Sequence, residues 1–297
     1  MNQQPSSGSM RTSSTASRVV APRHRHSRLL ALLTWWAAVT GLSGCAALLD
    51  TGVSPAQAAF AQADLAEEVQ QQAEWERPLT DQEKVQQDKT VAAIQKRGGR
   101  VSVDENRPDK AVVKVFLGGP NYTTSVFSDD DLQLLHGLPR LHTIVFGRSR
   151  VTDEGLKHLQ GLRHLQVVWF PLNGTDAGLK HLKGLANLRE LYVGNNTSIT
   201  DAGLEHLKRL TQLRILNLNH TKVGDAGLNY LQGLIRLEQL YLTGTRVTDA
   251  GLVHLRGLTQ LKTLDLAGTK VTRQGAAELR QVLPNATITR HTKGGGT

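Results

Sequence analysis

The chain is 297 residues long and 39% hydrophobic, with four Trp, four Tyr and five Phe, and it carries 35 Lys and Arg against 26 Asp and Glu. A leucine-rich, aromatic-poor composition of this kind excludes an intrinsically disordered chain and points to an extended aliphatic core. The formal charge of +9 does not describe a nucleic-acid surface, because Arg11, Arg18, Arg23, Arg25 and Arg28 stand in a segment without an acid, and the residues after 44 hold 30 bases against 26 acids, spread singly and without a recognition motif.

Residues 1–44 have the layout of a signal peptide: a Ser, Thr and Arg-rich start, then an apolar run, then small residues. Residues 29–49 carry no charge at all. The end of that run, Leu42-Ser43-Gly44-Cys45, resembles the lipobox of bacterial lipoproteins. The resemblance implies that Cys45 receives a diacylglyceryl group and becomes the first residue after cleavage. Cys45 is the single cysteine, so no disulfide can form within the chain, and a lipid gives the lone thiol a use. Two other readings fit the same residues: cleavage after Ala56-Gln57-Ala58, which would release a secreted protein, and an uncleaved span, since 21 uncharged residues just reach membrane length. The expectation carried forward is an exported lipoprotein of the bacterial cell envelope, held by Cys45 and facing away from the cytoplasm.

Residues 45–79 follow as an Ala, Gln and Glu-rich tether. Residues 80–127 are expected to form an N-terminal cap. Thr80-Asp-Gln-Glu83 has capping-box form and should open a helix to about Gln95, which Gly98-Gly99 ends. Arg100–Val103 and Ala111–Leu117 alternate as strands across a polar turn, and a loop is expected over 118–127.

From residue 128 to 271 one pattern recurs, Thr-Asp-Ala-Gly-Leu-x-x-Leu-x-x-Leu-x-x-Leu-x-x-Leu-x-Leu-x-x-Thr-x-Val, with a period of 24 where it is undisturbed. Its opening is literal at Thr175, Thr200 and Thr248 and varied at Ser128, Thr152, Gly224 and Thr272. In each unit a Thr N-cap and an Asp at the positive end of the dipole should start a short helix, Asp201 to Lys208 in the fourth. Gly161, Gly184, Gly233 and Gly257 are expected to end the helices in the left-handed conformation, with Arg209 forcing a different ending. Leu216 and Leu218 then point inward from a strand while Ile215, Asn217 and Asn219 point out. Ordering one unit costs roughly 1–2 kcal/mol per residue, while each buried aliphatic returns about 1.5–3 kcal/mol, so a single copy cannot fold and must stack on its neighbours. Ser149, Asn173, Asn196, Thr221, Thr245 and Thr269 are expected to satisfy buried turn amides. Residues 272–290 read as a C-terminal cap repeat and 291–297 as a flexible tail.

The runs Leu213-Arg-Ile-Leu216-Asn-Leu218-Asn-His-Thr221 and Leu261-Lys-Thr-Leu264-Asp-Leu266-Ala-Gly-Thr269 resemble the signature of leucine-rich repeat proteins. That resemblance implies an α/β fold, a right-handed horseshoe solenoid with parallel strands on the concave face and short helices on the convex face. It also implies a protein-binding module rather than an enzyme. No nucleophile elbow, zinc-binding His pair, P-loop or dinucleotide fingerprint is present in the sequence.

Stacked units place Val145, Trp169, Tyr192, Asn217, Tyr241 and Asp265 in one outward column, beside Thr143, Val167, Glu190, Ile215, Gln239 and Thr263 in a second, about 4.8 Å apart from strand to strand. Exposed Trp and Tyr are favoured at binding hot spots, so Val145, Trp169, Glu190, Tyr192, Asn217, Gln239, Tyr241, Thr263 and Asp265 form the candidate ligand face, against the plainer possibility that aromatics merely suit strands. The expected partner is a protein or a cell-envelope polymer bound by a monomer, with no cofactor. An envelope spacer without a ligand and a secreted effector or adaptor are the alternatives. His158, His181, His206 and His254, one per unit with Tyr230 breaking the line, read as a solvated ladder and not as a metal site. Asp129-Asp130-Asp131 read as acids on a helix dipole rather than as calcium ligands, and the Asn-x-Thr triplets at Asn121, Asn173, Asn219 and Asn285 lose meaning as glycosylation sites if the host is bacterial.

Overall fold

Thr80 opens the first helix as its position demands. Its hydroxyl accepts the Glu83 N–H at 3.2 Å while the Glu83 carboxylate accepts the Thr80 N–H at 2.8 Å, closing a capping box over α1 (Asp81–Lys96). The structure, a computed structural model, describes residues 73–118 and 126–290. The chain divides into two units, Met1–Glu74 and Trp75–Thr297, and the fold below is that of the second. The leader, Cys45 and the tail after residue 290 lie outside the described residues. Among the described residues no helix is long and apolar enough to cross a membrane.

Gly98, at φ +79°, ends α1, and β1 (Arg100–Val103) then pairs antiparallel with β2 (Val112–Phe116), slightly shorter than its alternation suggests. Every later strand pairs parallel with the one before it: β3 (Thr143–Val145), β4 (Val167–Trp169), β5 (Glu190–Tyr192), β6 (Ile215–Asn217), β7 (Gln239–Tyr241), β8 (Thr263–Asp265) and β9 (Thr287–Thr289). Nine strands thus form one open sheet in strict chain order. This is a leucine-rich repeat solenoid. The leucines of each unit, such as Leu204, Leu207, Leu210, Leu213, Leu216 and Leu218, are fully buried in a single continuous core.

The connections carry short helical turns, and they are tighter than the sequence suggests. α2 (Asp176–Leu179), α3 (Asp201–Leu204) and α4 (Asp225–Leu228) each last one turn before passing into 3-10 geometry, and the corresponding segments Gly155–Leu159 and Asp249–Leu255 are 3-10 throughout. Only the last, α5 (Arg273–Val282), is a full helix, as expected. Gly184, Gly233 and Gly257 do not adopt positive φ; of the four glycines at this position only Gly161 does, at +90°. A side chain is therefore tolerated there, and Arg209 enters the same kind of turn without the different ending anticipated for it.

What locks one coil to the next is the repeated Asp. Asp176 Oδ1 accepts the Thr200 N–H at 2.9 Å and Oδ2 accepts the Thr200 hydroxyl at 2.5 Å, while that hydroxyl itself accepts the Ala202 N–H at 3.3 Å. The same two-pronged bond joins Asp129 to Thr152, Asp153 to Thr175, Asp225 to Thr248 and Asp249 to Thr272. The Asp is thus a rivet between neighbours and not merely a dipole partner, since a carboxylate accepting charge-assisted bonds holds them about twice as firmly as a neutral acceptor. It also explains the glycine of each unit: a Cβ on Gly203 would lie 2.3 Å from Asp176 Oδ1, and one on Gly178 would lie 2.3 Å from Asp153 Oδ1. Of the acidic triplet, Asp129 is consumed by this rivet. Asp131 accepts from Ser128 and pairs with Arg97 at 2.6 Å, while Asp130 and Asp131 both stand in the first turn of the helical segment Asp130–Gly137, so specific bonds at Asp129 and Asp131 add to the expected place at a helix start.

The turn column differs from expectation in direction. Thr221, Thr245 and Thr269 donate their hydroxyls at 2.7 Å to the carbonyls of Leu218, Leu242 and Leu266, and of the three Thr269 also meets the expectation by accepting the Val271 N–H at 3.3 Å. Asn173 donates to the Val151 carbonyl, and Asn196 donates to the carbonyls of Pro171 and Gly174 while accepting the Ser198 N–H. The Ser149 hydroxyl has no partner among the described residues. The unit that opens at Thr175 exceeds the 24-residue period, the next opening being Thr200, and Asn196 with left-handed Asn195 (φ +64°) absorbs the excess.

At the N-terminal edge the last residues of the expected tether are fixed in place. Asp109 accepts the Leu79 N–H at 2.8 Å and pairs with Arg107 at 2.9 Å, while Arg107 donates to the carbonyls of Trp75 and Arg77. Trp75 lies against His142 and His164, with ring centroids 5.7 and 5.9 Å away, so the strap covers the start of β3 and β4.

Candidate functional site

Strand pairing brings the predicted column together without a slip. Val145, Trp169, Tyr192, Asn217, Tyr241 and Asp265 are direct register partners on β3 to β8, and Thr143, Val167, Glu190, Ile215, Gln239 and Thr263 are partners one step earlier. Because strand side chains alternate, a buried middle residue such as Leu216 forces both neighbours onto the outer face. One member differs from expectation. Thr143 is buried, its hydroxyl 2.7 Å from His142 Nδ1, whereas Val145 is half-buried like Tyr192, Asn217, Tyr241 and Asp265. Phe116 of β2 is in register with Val145 and extends the column, with Arg100 and Lys114 over its ring. Its place two residues after Lys114, on the same face of β2, was the available signal.

Trp169 is the most open aromatic among the described residues, 46% exposed, and it stacks on Tyr192 with centroids 4.2 Å apart and planes inclined by 18°. Each tyrosine is tied back to its own strand: Tyr192 donates to Glu190 Oε2 at 2.9 Å and Tyr241 to Gln239 Oε1 at 2.8 Å. Burial, reinforced by the Glu190 carboxylate, pushes the Tyr192 hydroxyl well above the ordinary tyrosine range, so it remains a donor at any physiological pH.

Further along, Asn217 Oδ1 accepts the Asn219 N–H, and Asn219 Oδ1 accepts the Thr243 N–H. Asp265 takes bonds from the Thr243 and Thr289 hydroxyls and from the Ala267 N–H. The half of the face around Asp265 is thus occupied by its own hydrogen bonds, whereas the half around Trp169, Tyr192 and Asn217 keeps unspent donors and aromatic area.

The histidines sit away from this face, on the helical side. His181 is half-buried with Nδ1 unpartnered, and burial lowers its pKa; His254 Nδ1 meets Gln232 Nε2 at 2.6 Å. Among the described residues no group of three or more His, Cys, Asp or Glu is placed to hold a metal. A separate shallow recess lies on the rim before the strands, where Glu238 bridges Arg214 at 3.2 Å and Lys262 at 2.5 Å.

A family model described as Leucine Rich repeat matches residues 184–208 and 209–231. Searched against curated proteins, the chain finds no match. Among solved structures it is similar to an internalin (inlF) of Listeria monocytogenes, with 19% identity over 56% of this chain and 52% of that one and a TM-score of 0.42. It is similar also to internalin C2 of the same organism, with 20% identity over 61% of this chain and 81% of that one and a TM-score of 0.46. A leucine-rich repeat protein of Leptospira interrogans aligns with 15% identity, 53% of this chain and 50% of that one, and a TM-score of 0.35. The chain spans about half the length of the first and third of these.

Proposed function

We propose that this protein is a non-enzymatic recognition module of a bacterial cell envelope, tethered through a lipid on Cys45, whose ligand, a protein or an envelope polymer, docks on the outer face of the sheet. The observation that carries the docking face is the register of Trp169, Tyr192, Asn217 and Tyr241, which lines up two aromatic stations on a rigid parallel sheet with Trp169 46% exposed. Large exposed aromatics that can be desolvated without losing rotamer freedom are the residues from which binding energy is drawn. The repeat architecture supports binding rather than chemistry, because it presents a wide preformed surface at low ordering cost.

Two measurements test the reading. Crosslinking in native membranes followed by mass spectrometry should give adducts that vanish when Trp169, Tyr192 and Tyr241 are replaced together by Ala; unchanged adducts would leave a spacer without a ligand. Separately, Cys45→Ser should move the protein from the membrane to the soluble fraction, and retention on the membrane would favour an uncleaved span.

A further inference from the structure

We propose that the slot between Tyr192 and Tyr241, floored by β6, binds one ring of a flat, neutral polysaccharide ribbon, a chain of β-1,4-linked pyranoses. The proposal rests on the docking face described above and names its ligand class. Trp169 and Tyr192 are stacked on adjacent strands, so their planes stand upright across the direction in which strands follow one another. Tyr192 therefore turns its other face toward β6. Tyr241 is anchored through the same two-residue step, hydroxyl to Gln239, as Tyr192 is to Glu190, so the two rings lean the same way along their strands.

Between them stand Asn217, in register with both and turned toward Asn219, and Ile215, in register with the Glu190 and Gln239 toward which the rings lean, each much shorter than a tyrosine. The walls are two strand spacings apart, roughly 9–10 Å. An aromatic ring touching both walls at about 3.5–4 Å would need only about 7–8 Å. A chair-shaped ring, thickened by axial C–H bonds on both faces, takes up the difference. Such a ring also offers each tyrosine a C–H face, the kind of apolar area an aromatic wall covers well.

The polar groups around the slot fit hydroxyls. Asn217 and Asn219 each spend Oδ1 on a backbone N–H and keep Nδ2 for a ligand; Gln239 spends Oε1 on Tyr241 and keeps Nε2; Glu190 spends one oxygen on Tyr192 and keeps the other. Three donors and one acceptor suit groups that both give and accept hydrogen bonds. Glu190 is the single charge among these groups, so a phosphorylated, sulfated or uronic chain is disfavoured by charge. A peptide strand would seek a sheet edge with unpaired backbone groups, whereas β6 is paired on both sides. Only equatorially linked chains keep successive rings nearly coplanar, so only they can thread between two parallel walls; α-linked chains coil and would strike them.

The test is isothermal titration calorimetry of the full chain with cellohexaose, chitohexaose and, as the coiled control, maltohexaose. We expect at least one β-1,4 hexamer to bind and maltohexaose not to, with Tyr192→Ala and Tyr241→Ala each weakening binding at least 10-fold. Asn217→Trp should abolish it with an unchanged circular dichroism spectrum, because β4 already carries Trp169 at the same register position. Binding that survives Asn217→Trp overturns the slot. If neither β-1,4 hexamer binds while the triple aromatic variant still loses its crosslinked protein, the glycan assignment falls and the docking face stands. Should the crosslinks persist as well, both fall.

Discussion

Gly224→Thr should stabilise the protein. Gly224 is the position where the interlocking pattern lacks its threonine: its N–H reaches Asp201 Oδ1 at 2.6 Å, but Asp201 Oδ2 receives no hydroxyl and α4 has no side-chain cap. The backbone there, φ −126° and ψ −160°, matches that of Thr200, φ −126° and ψ −175°, and is open to any residue. A Cβ would find Asp201 Oδ2 at 3.5 Å and nothing else nearer than 3.8 Å, so the hydroxyl can reach both Asp201 and the Ala226 N–H. Replacing glycine without strain contributes about 0.4–1 kcal/mol through the unfolded chain. A cap with a charge-assisted bond adds about 1 kcal/mol more, for a total of about 1.5–2 kcal/mol. For a domain of this size that corresponds to a rise in Tm of roughly 3–8 °C. Urea denaturation followed by circular dichroism should show a higher midpoint with an unchanged slope. Asp201→Ala placed in the Gly224→Thr background should remove most of the gain, because the new hydroxyl loses its acceptor. A midpoint that does not rise, or a gain that survives without Asp201, would refute the idea that these threonines hold the coils together.

Other expectations follow from the same geometry and are read in the same denaturation assay. Gly203→Ala drives a Cβ to 2.3 Å from Asp176 Oδ1 and should cost about 2–3 kcal/mol, whereas Gly184→Ala meets open space at an ordinary φ and should be neutral or stabilising by a few tenths of a kcal/mol. Leu216→Ala empties a fully buried site in the middle of the stack and should lower stability by about 2–5 kcal/mol. The Asp109 carboxyl, held well below the usual carboxylate range by its bonds to Arg107, stabilises the strap when ionised. Its contribution is present above the unfolded value of 3.8 and is lost as the pH falls through the folded value, so Asp109→Asn should be less stable than the parent at pH 7 and approach it in strong acid.

Much of the fold was legible because the sequence states it repeatedly. One Leu-x-x-Leu carries no information, but aligned copies fix which residues are interior, where the strands fall and how far apart they stack. The α1 capping box, the hairpin of β1 and β2, and the last helix also followed from local signals. What was misjudged in each unit lay between units. An Asp at a helix start looks like a dipole partner when one copy is considered alone, and only stacking shows that it bonds to the Thr 24 positions later. The glycine that follows is required by that same bond, and of the glycines after the helix only Gly161 is required by φ. Trp75 and Arg107 gave no warning either, since their contacts join segments more than thirty residues apart.

The candidate face was legible for a different reason, and its limits follow from that reason. A repeat dictates the residues that face inward, so the outward positions are the ones at which this chain departs from its own consensus: Val145, Trp169, Tyr192, Asn217, Tyr241 and Asp265 occupy one register position with four chemistries. If that variety were idle, the side chains would be expected to point independently into solvent. Instead, both tyrosines are tied to a polar residue two positions back, Trp169 is stacked, and Asn217 and Asn219 spend one end of each amide on the backbone while holding the other outward. Side-chain order of this kind carries an entropy cost of up to about 2 kcal/mol per long side chain that packing in the core does not require, and a ligand meeting it has that much less to supply on binding. On β5 to β7, where the slot lies, this order leaves one end of each amide open to a ligand, whereas at the ends of the column Thr143 is buried and Asp265 is satisfied by three bonds of its own.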